Sequence, residues 1–413
     1  MKVSIGSIGP ISSTEIELSN VNIIAGGNDS GKSTIGKVLY SIFKSQENNS
    51  LDFLIRTIIT KVYPKLDDNF QLQLEESVGF KRGVDSVEQD DNTEEFIFRF
   101  TETMSTRDVL DLSDDLKVDL VECFNDLKSK LVLSESILHE CEHYFKIMTS
   151  NKYFIEAMIN DTFNFEYSGV VSNVKKQQEK FVSIQDHSVN IVLEGTKLSH
   201  FENSKYENVI YYDSSQEIFL NDLRSGVIRF APKSDFSNNR KIDLMNMTRI
   251  KNSENISIYN EEISEVLNSF NNDSCNIGSI KQGRYSVDGV ELPVNVIASG
   301  TKNLLGLKSI IENGYITKST LLIIDEPEQA LHPVWQVEYA KILKSIYDVF
   351  GIDIVVVTHS NYFIEAINKI FANPKLYFAC RDEHNFATYK DCSNNFEFVY
   401  NNLGSAYEKI DNL

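Results

Sequence analysis

The chain has 413 residues, 41% hydrophobic and 24% charged, a balance that fits a soluble globular protein with one large core and a second, inserted body. Its formal net charge of −20 excludes indiscriminate binding to a polyanion, so any nucleic-acid contact must rest on basic residues gathered locally. Five scattered cysteines, Cys123, Cys141, Cys275, Cys380 and Cys392, form no C-x-x-C pair; with no apolar leader and no apolar run of about 18 residues, a cytoplasmic protein with reduced thiols and no membrane partner is expected.

Residues 1–45 read as short strands feeding a turn. Glu15-Ile16-Glu17-Leu18 alternates polar and apolar as a half-exposed strand does, and Gly9-Pro10 marks the turn before it. Val21-Asn22-Ile23-Ile24-Ala25 has the β-branched, apolar form of a buried strand. It runs directly into Gly26-Gly27-Asn28-Asp29-Ser30-Gly31-Lys32-Ser33, which fits the phosphate-loop pattern G-x-x-x-x-G-K-[ST] without a mismatch. Ile35, Val38, Leu39, Ile42 and Phe43 then recur at helical spacing. Strand, glycine-rich turn and helix N-terminus are what phosphate binding requires, because backbone N–H groups converge there and the helix dipole favours negative charge. In that arrangement Lys32 reaches the β- and γ-phosphates, Ser33 ligates Mg²⁺ and Thr34 adds a phosphate contact.

From about 46 to 204 the pattern changes to a long, mainly helical insertion without a sustained heptad repeat. Its acidic stretch at 85–122 reads either as a solvated helix face or as a docking surface for a basic partner. Within it, His139-Glu140-Cys141-Glu142-His143 matches H-E-x-x-H, the zinc-protease pattern, with Glu156 or Glu166 in range as a third ligand. Charged Glu142 at a middle position favours a surface helix instead. Residues 181–200 alternate twice, which predicts an antiparallel hairpin, and 209–213 read as a core strand. The segment 224–251 carries Arg224, Arg229, Lys233, Arg240, Lys241, Arg249 and Lys251. It reads as a surface for nucleic acid, an acidic protein or the nucleotide's phosphates, or as a charged loop balancing the acidic lobe.

Asp288-Gly289 between two alternating runs predicts a type I′ hairpin. Beyond it, 321–324 and 352–357 are continuous apolar runs typical of parallel strands covered on both faces. The first ends in Asp325-Glu326-Pro327-Glu328, where Asp325 is placed to hold Mg²⁺ and Glu326 to polarise an attacking water. The second ends in Thr358-His359-Ser360, where His359 can donate to a γ-phosphate. Upstream, Ala298-Ser299-Gly300-Thr301 opens a helix that Ser299 is expected to cap.

With these four segments in this order, the chain resembles the ATP-binding-cassette-type AAA family ATPases related to recombination-repair, chromosome-maintenance and overcoming-lysogenization-defect proteins. Asp-Glu-Pro-Glu, Leu331-His332-Pro333, Trp335-Gln336 and the run 358–366 are similar to a bacterial subgroup frequent in defence loci. The resemblance implies an α/β P-loop NTPase fold: an ABC-type head with a mixed sheet from 1–45 and 205–413, and an inserted, mainly helical lobe at 46–204. It implies ATP and Mg²⁺ as ligands and hydrolysis between two heads of a homodimer or higher oligomer. Ser299 and Gly300 then act in trans, His359 is the switch histidine, and Gln216 is a candidate for the loop glutamine that senses Mg²⁺. This chain departs from the pattern by reading Ala-Ser-Gly-Thr-Lys at the signature and by having His332 where many relatives have a carboxylate. About 54 residues follow His359, too few for the nuclease domain of some relatives, so a separate effector is expected. The leading expectation is an ATP-gated sensor or scaffold controlling a nuclease or toxin in phage defence. The alternatives are a DNA-repair or DNA-end-processing ATPase acting through 224–251, a zinc peptidase with an ATPase head, and a purely structural ATP-binding module.

Overall fold

The computed structural model describes residues 1–45, 155–156, 159–160, 163, 180–186, 190–200, 204–214, 244, 247–248, 251–272, 275–281 and 284–411. The acidic run at 85–122, the His139 and His143 pair, Gln216 and most of the basic segment 224–251 lie outside the described residues. The chain divides into two compact units, one of Met1–Glu47 with Met158–Leu413 and one of Asn48–Ala157.

The first unit carries, in chain order, β1 (Lys2–Ile8), β2 (Ile11–Glu17), β3 (Val21–Ala25), α1 (Lys32–Lys44), β4 (Phe181–Gln185), β5 (Asn190–Glu194), β6 (Lys197–His200) and β7 (Asn208–Asp213). It continues with α2 (Ser253–Ile258), α3 (Asn260–Asn268), β8 (Asn271–Asn272), β9 (Cys275–Asn276), β10 (Ser279–Lys281), β11 (Arg284–Val287) and β12 (Val290–Pro293). The last part is α4 (Ser299–Glu312), β13 (Thr320–Asp325), α5 (Pro333–Phe350), β14 (Asp353–Thr358), α6 (Asn361–Ile370), β15 (Lys375–Arg381), β16 (Ala387–Asp391) and α7 (Phe396–Asp411).

An 11-stranded sheet in the order β6-β5-β4-β1-β2-β16-β15-β3-β14-β13-β7 organises the unit. From β15 to β7 every pairing is parallel. On the other side β1, β2, β4, β5 and β6 pair antiparallel, so the sheet is mixed, as expected. The hairpin expected at 181–200 is present, with Ile184 opposite Ile191, but β4 pairs with β1. It therefore extends the sheet of the first unit rather than belonging to the inserted lobe. Alternation marks a strand and which face is apolar; it carries no information about which distant edge receives the strand.

The parallel strands are buried on both sides, which explains their unbroken apolar runs. One face, with Ile23, Ile210, Tyr212, Leu322, Ile324, Ile354 and Val356, shares a core with Leu304 and Leu307 of α4 and with Tyr339, Ile342, Leu343 and Ile346 of α5. The opposite face receives α1. There Gly36 is needed for close approach, since a Cβ on it would lie 3.0 Å from Tyr211 Cε2 and 3.2 Å from Ile323 Cγ2. Tyr40 meets Tyr211 edge-on with ring centroids 5.9 Å apart. Between β11 and β12, Asp288 and Gly289 have φ of 48° and 77°, the two positive values of a type I′ turn.

Leu322 lies at the centre of this core and is fully buried. Leu322→Ala is expected to cost about 2–5 kcal/mol, because a cavity there is walled by sheet and helices that cannot collapse into it. Chemical denaturation checks this; a loss below about 1 kcal/mol would show that the face is loosely packed.

Candidate functional site

Parallel register brings the ends of three strands to one edge. Ala25 pairs with Thr358, and Asp325 pairs with both Val357 and Asp213. The segments that leave β3, β13 and β14 therefore turn away at the same place, the carboxyl edge where α/β sheets bind ligands.

From β3 the chain enters the glycine-rich turn. Gly31 stands before α1 in the left-handed region, with φ of 82°, and Asp29 has φ of 58°. A Cβ on Gly31 would sit 2.8 Å from Pro10 Cγ, so this position needs glycine for both conformation and space. α1 has no side-chain cap and no acidic residue in its first turn, which leaves its positive end available to an anion. Lys32 folds back over the turn, its Nζ donating to Gly27 O at 2.8 Å, and burial lowers its pKa against the raising effect of Glu326 and Asp325.

Asp325 closes β13 as a buried carboxylate. Ser33 Oγ donates to its Oδ1 at 3.1 Å and Tyr211 OH to its Oδ2 at 2.6 Å. Burial pushes its pKa up to about 6; the Tyr211 and Ser33 hydrogen bonds oppose the rise, and neighbouring Asp213 and Glu326 add to it. A hard cation with oxygen ligands fits this pair, because Ser33 and Asp325 supply two oxygens beside the phosphate loop and a positive ion would relieve a carboxylate that burial disfavours.

Glu326 leaves the strand through a left-handed backbone, φ 52°, while its N–H still donates to Val357 O at 2.8 Å. A non-glycine residue held there is strained, and strain of this kind gathers at functional sites. The turn carries Glu326 towards His359, whose Nδ1 lies 3.6 Å from Glu326 Oε1 and 3.1 Å from Glu328 Oε1. The His359 imidazole lowers the Glu326 pKa, and Glu326 first, with Glu328, raises that of His359. With Nδ1 facing the carboxylates, the Nε2 edge of His359 is left for another partner.

Glu328 is the residue that motif reading passed over. It is buried, and its Oε1 accepts from Thr358 Oγ1 at 2.7 Å and from the His359 N–H at 2.7 Å, besides facing His359 Nδ1. Gln336 of α5 acts similarly, accepting from Ser360 Oγ at 2.6 Å and donating to Leu331 O at 3.1 Å. Glu326, Glu328, Gln336, His359, Ser360 and Tyr362 line a cleft of about 570 Å³. His332 accepts from Val334 N–H and caps α5, with Pro333 following at the first turn, which gives that unusual histidine a structural role.

Ser299 does not cap α4 as expected: Ala298 holds the cap position without a side-chain bond, and Ser299 begins the first turn. Gly300 packs on the turn after the carboxylates, where a Cβ would lie 2.5 Å from Ala330 O. Asn303 reinforces that contact by donating to Pro327 O at 3.2 Å. Among the described residues, no hydrogen bond joins Ser299 or Gly300 to the phosphate loop of the same chain. Lys32, Ser33, Asp325, Glu326 and His359 are thus brought together, and the Ser-Gly helix start packs against the turn that follows the carboxylates.

A glycine-rich turn before a helix, the Ser33–Asp325 pair, Glu326 and His359 at one sheet edge are the arrangement of a P-loop nucleotide-binding protein. The AAA ATPase domain family matches residues 1–364, and the chain belongs to that family. Among solved structures it is similar to the SMC head domain from Thermotoga maritima, at 10% identity and a TM-score of 0.37, over 94% of this chain and 97% of that one. It is also similar to an SMC head bound to the C-winged helix domain of ScpA, at 8% identity and a TM-score of 0.38, over 96% and 98% of the two chains. No curated protein matches the chain. Among the described residues, no helix is long and apolar enough to cross a membrane.

Asp325 gives a pH test. Its folded pKa of about 6 exceeds the ordinary 3.8, so the folded state holds this proton more tightly than the unfolded chain does. The group's stabilising contribution is fully present below the unfolded value and is lost as pH rises through about 6. Asp325→Asn in chelator should therefore be more stable than the parent at neutral pH, by about 3 kcal/mol, with the gain shrinking as pH falls through the folded value. Denaturation curves at several pH values check this; a variant less stable at neutral pH would contradict it.

Proposed function

We propose that the chain is a Mg²⁺-dependent ATPase whose nucleotide-bound heads pair. One observation supports this above the others: the phosphate loop, the Ser33–Asp325 pair at 3.1 Å, Glu326 and His359 share one edge of one sheet. Lys32 and the N–H groups at the start of α1 bind the phosphates. Glu326, kept ionised by the imidazole beside it, takes a proton from water as its oxygen bonds to the γ-phosphorus and the bridging P–O bond to ADP breaks. His359 Nε2 donates to the γ-phosphate, holding it in line. Mg²⁺ held by Ser33 and Asp325 would neutralise charge developing on the phosphate oxygens. Ser299 and Gly300, which among the described residues make no hydrogen bond to the phosphate loop of their own chain, supply the uncapped start of α4 to the nucleotide of a second head.

The wider role we infer from the resemblance of the Asp-Glu-Pro-Glu and Thr-His-Ser segments to defence ATPases. In that reading the paired state is a sensor or scaffold that controls a separate effector, a nuclease or toxin, during phage defence.

Glu326→Gln is the test. Loss of the base should slow hydrolysis by about 10²–10⁴-fold while ATP binding persists, so Mg-ATP should increase the variant's mass in solution. Turnover equal to wild type would leave a nucleotide-binding module without this chemistry, and an unchanged mass would remove nucleotide-driven pairing.

A further inference from the structure

The outer side of the phosphate loop is held by residues more than 350 positions away in sequence. Arg381, at the end of β15, donates through Nη2 to Asp29 O at 2.5 Å, and Tyr389 of β16 donates through its hydroxyl to Ser30 O at 3.0 Å. The guanidinium is fixed by a second bond, Nη1 to Asn385 O at 2.9 Å. Burial raises the Tyr389 pKa, so the phenol stays a donor.

The hairpin that carries both side chains is tied to the loop by backbone. β15 lies parallel to β3 with Phe378 opposite Ala25, which brings Ala379 against Gly26; a Cβ on Gly26 would lie 2.7 Å from the Ala379 Cβ. Ala387 at the start of β16 donates to Pro10 O at 2.8 Å, and Pro10 in turn packs on Gly31. Hairpin and β1–β2 turn form one wall behind the loop.

A trans peptide points its carbonyl and the following N–H in opposite directions. Holding the carbonyls of Asp29 and Ser30 towards the hairpin therefore turns the N–H groups of Ser30 and Gly31 away from it. Among the described residues neither of these N–H groups has a hydrogen-bond partner, so both remain for a ligand. We propose that Arg381 and Tyr389 are positioning residues for the nucleotide, setting the two loop peptides in the orientation that binds phosphate before any nucleotide arrives. The inference rests on the ATPase reading and adds to it a part of the chain that no phosphate-loop motif includes. Because these N–H groups address phosphates common to ATP and ADP, both nucleotides depend on them equally.

The test is equilibrium binding of Mg-ATP and Mg-ADP to Arg381→Met/Tyr389→Phe, with steady-state kinetics alongside. Two hydrogen bonds of ordinary strength predict Kd values for both nucleotides raised on the order of ten-fold, with KM rising and kcat at saturation unchanged. Arg381→Lys, which keeps a donor, should recover part of the affinity. Affinity equal to wild type, or a lower kcat at unchanged KM, would overturn the proposal. If the double variant does not fold, Tyr389→Phe, which removes one oxygen, decides alone: Kd raised about three-fold supports the proposal and an unchanged Kd overturns it. Wild-type protein that binds neither nucleotide would instead overturn the ATPase reading itself.

Discussion

Parallel pairing of β3, β14 and β13 is the constraint on which the site depends. Because Ala25 pairs with Thr358 and Asp325 with Val357, three segments distant in the chain must change direction at one edge. Shifting one strand by a single residue would reverse the faces of Tyr211 and Ile323, which pack under α1, and would move Asp325 from Ser33. The core on both faces of the sheet therefore fixes the placement of the candidate site residues as firmly as it fixes the fold.

Burial makes that edge electrostatically uneasy. Asp325 is pushed up and Lys32 down, each towards its neutral form, and Glu326 is held in a left-handed backbone. A packed core alone gives no reason to keep an acid and a base in such positions. A cation against Asp325 and phosphate against Lys32 would favour the charged forms that burial opposes, so the cost in the protein becomes selectivity for a charged ligand pair. Glu328 and Gln336 stabilise the arrangement from behind by fixing the turn that carries His359.

The sequence makes the local parts of this legible. Phosphate loop, apolar strands, Asp325, Glu326 and His359 each depend on neighbours within a few residues, and turn type follows from pairs such as Asp288-Gly289. What it hides depends on distant partners. Glu328 looks like one more acid after proline until Thr358 and His359 fold over it. Tyr211 reads as a strand aromatic, and no spacing rule connects it to Asp325, or Arg381 and Tyr389 to the loop. Residues 181–200 read as a hairpin, but their membership of the sheet rests on pairing with β1, about 180 residues earlier. Ser299 and Ala298 differ by one position at a helix start, a distinction that backbone geometry makes and composition does not.

The most direct measurement is calorimetric titration of ATP into wild-type and Lys32→Ala protein, with Mg²⁺ and with chelator. One nucleotide per chain, bound more tightly with Mg²⁺ and lost in Lys32→Ala, is the predicted result. ATP binding that ignores both the cation and Lys32 would place the nucleotide elsewhere and contradict the site.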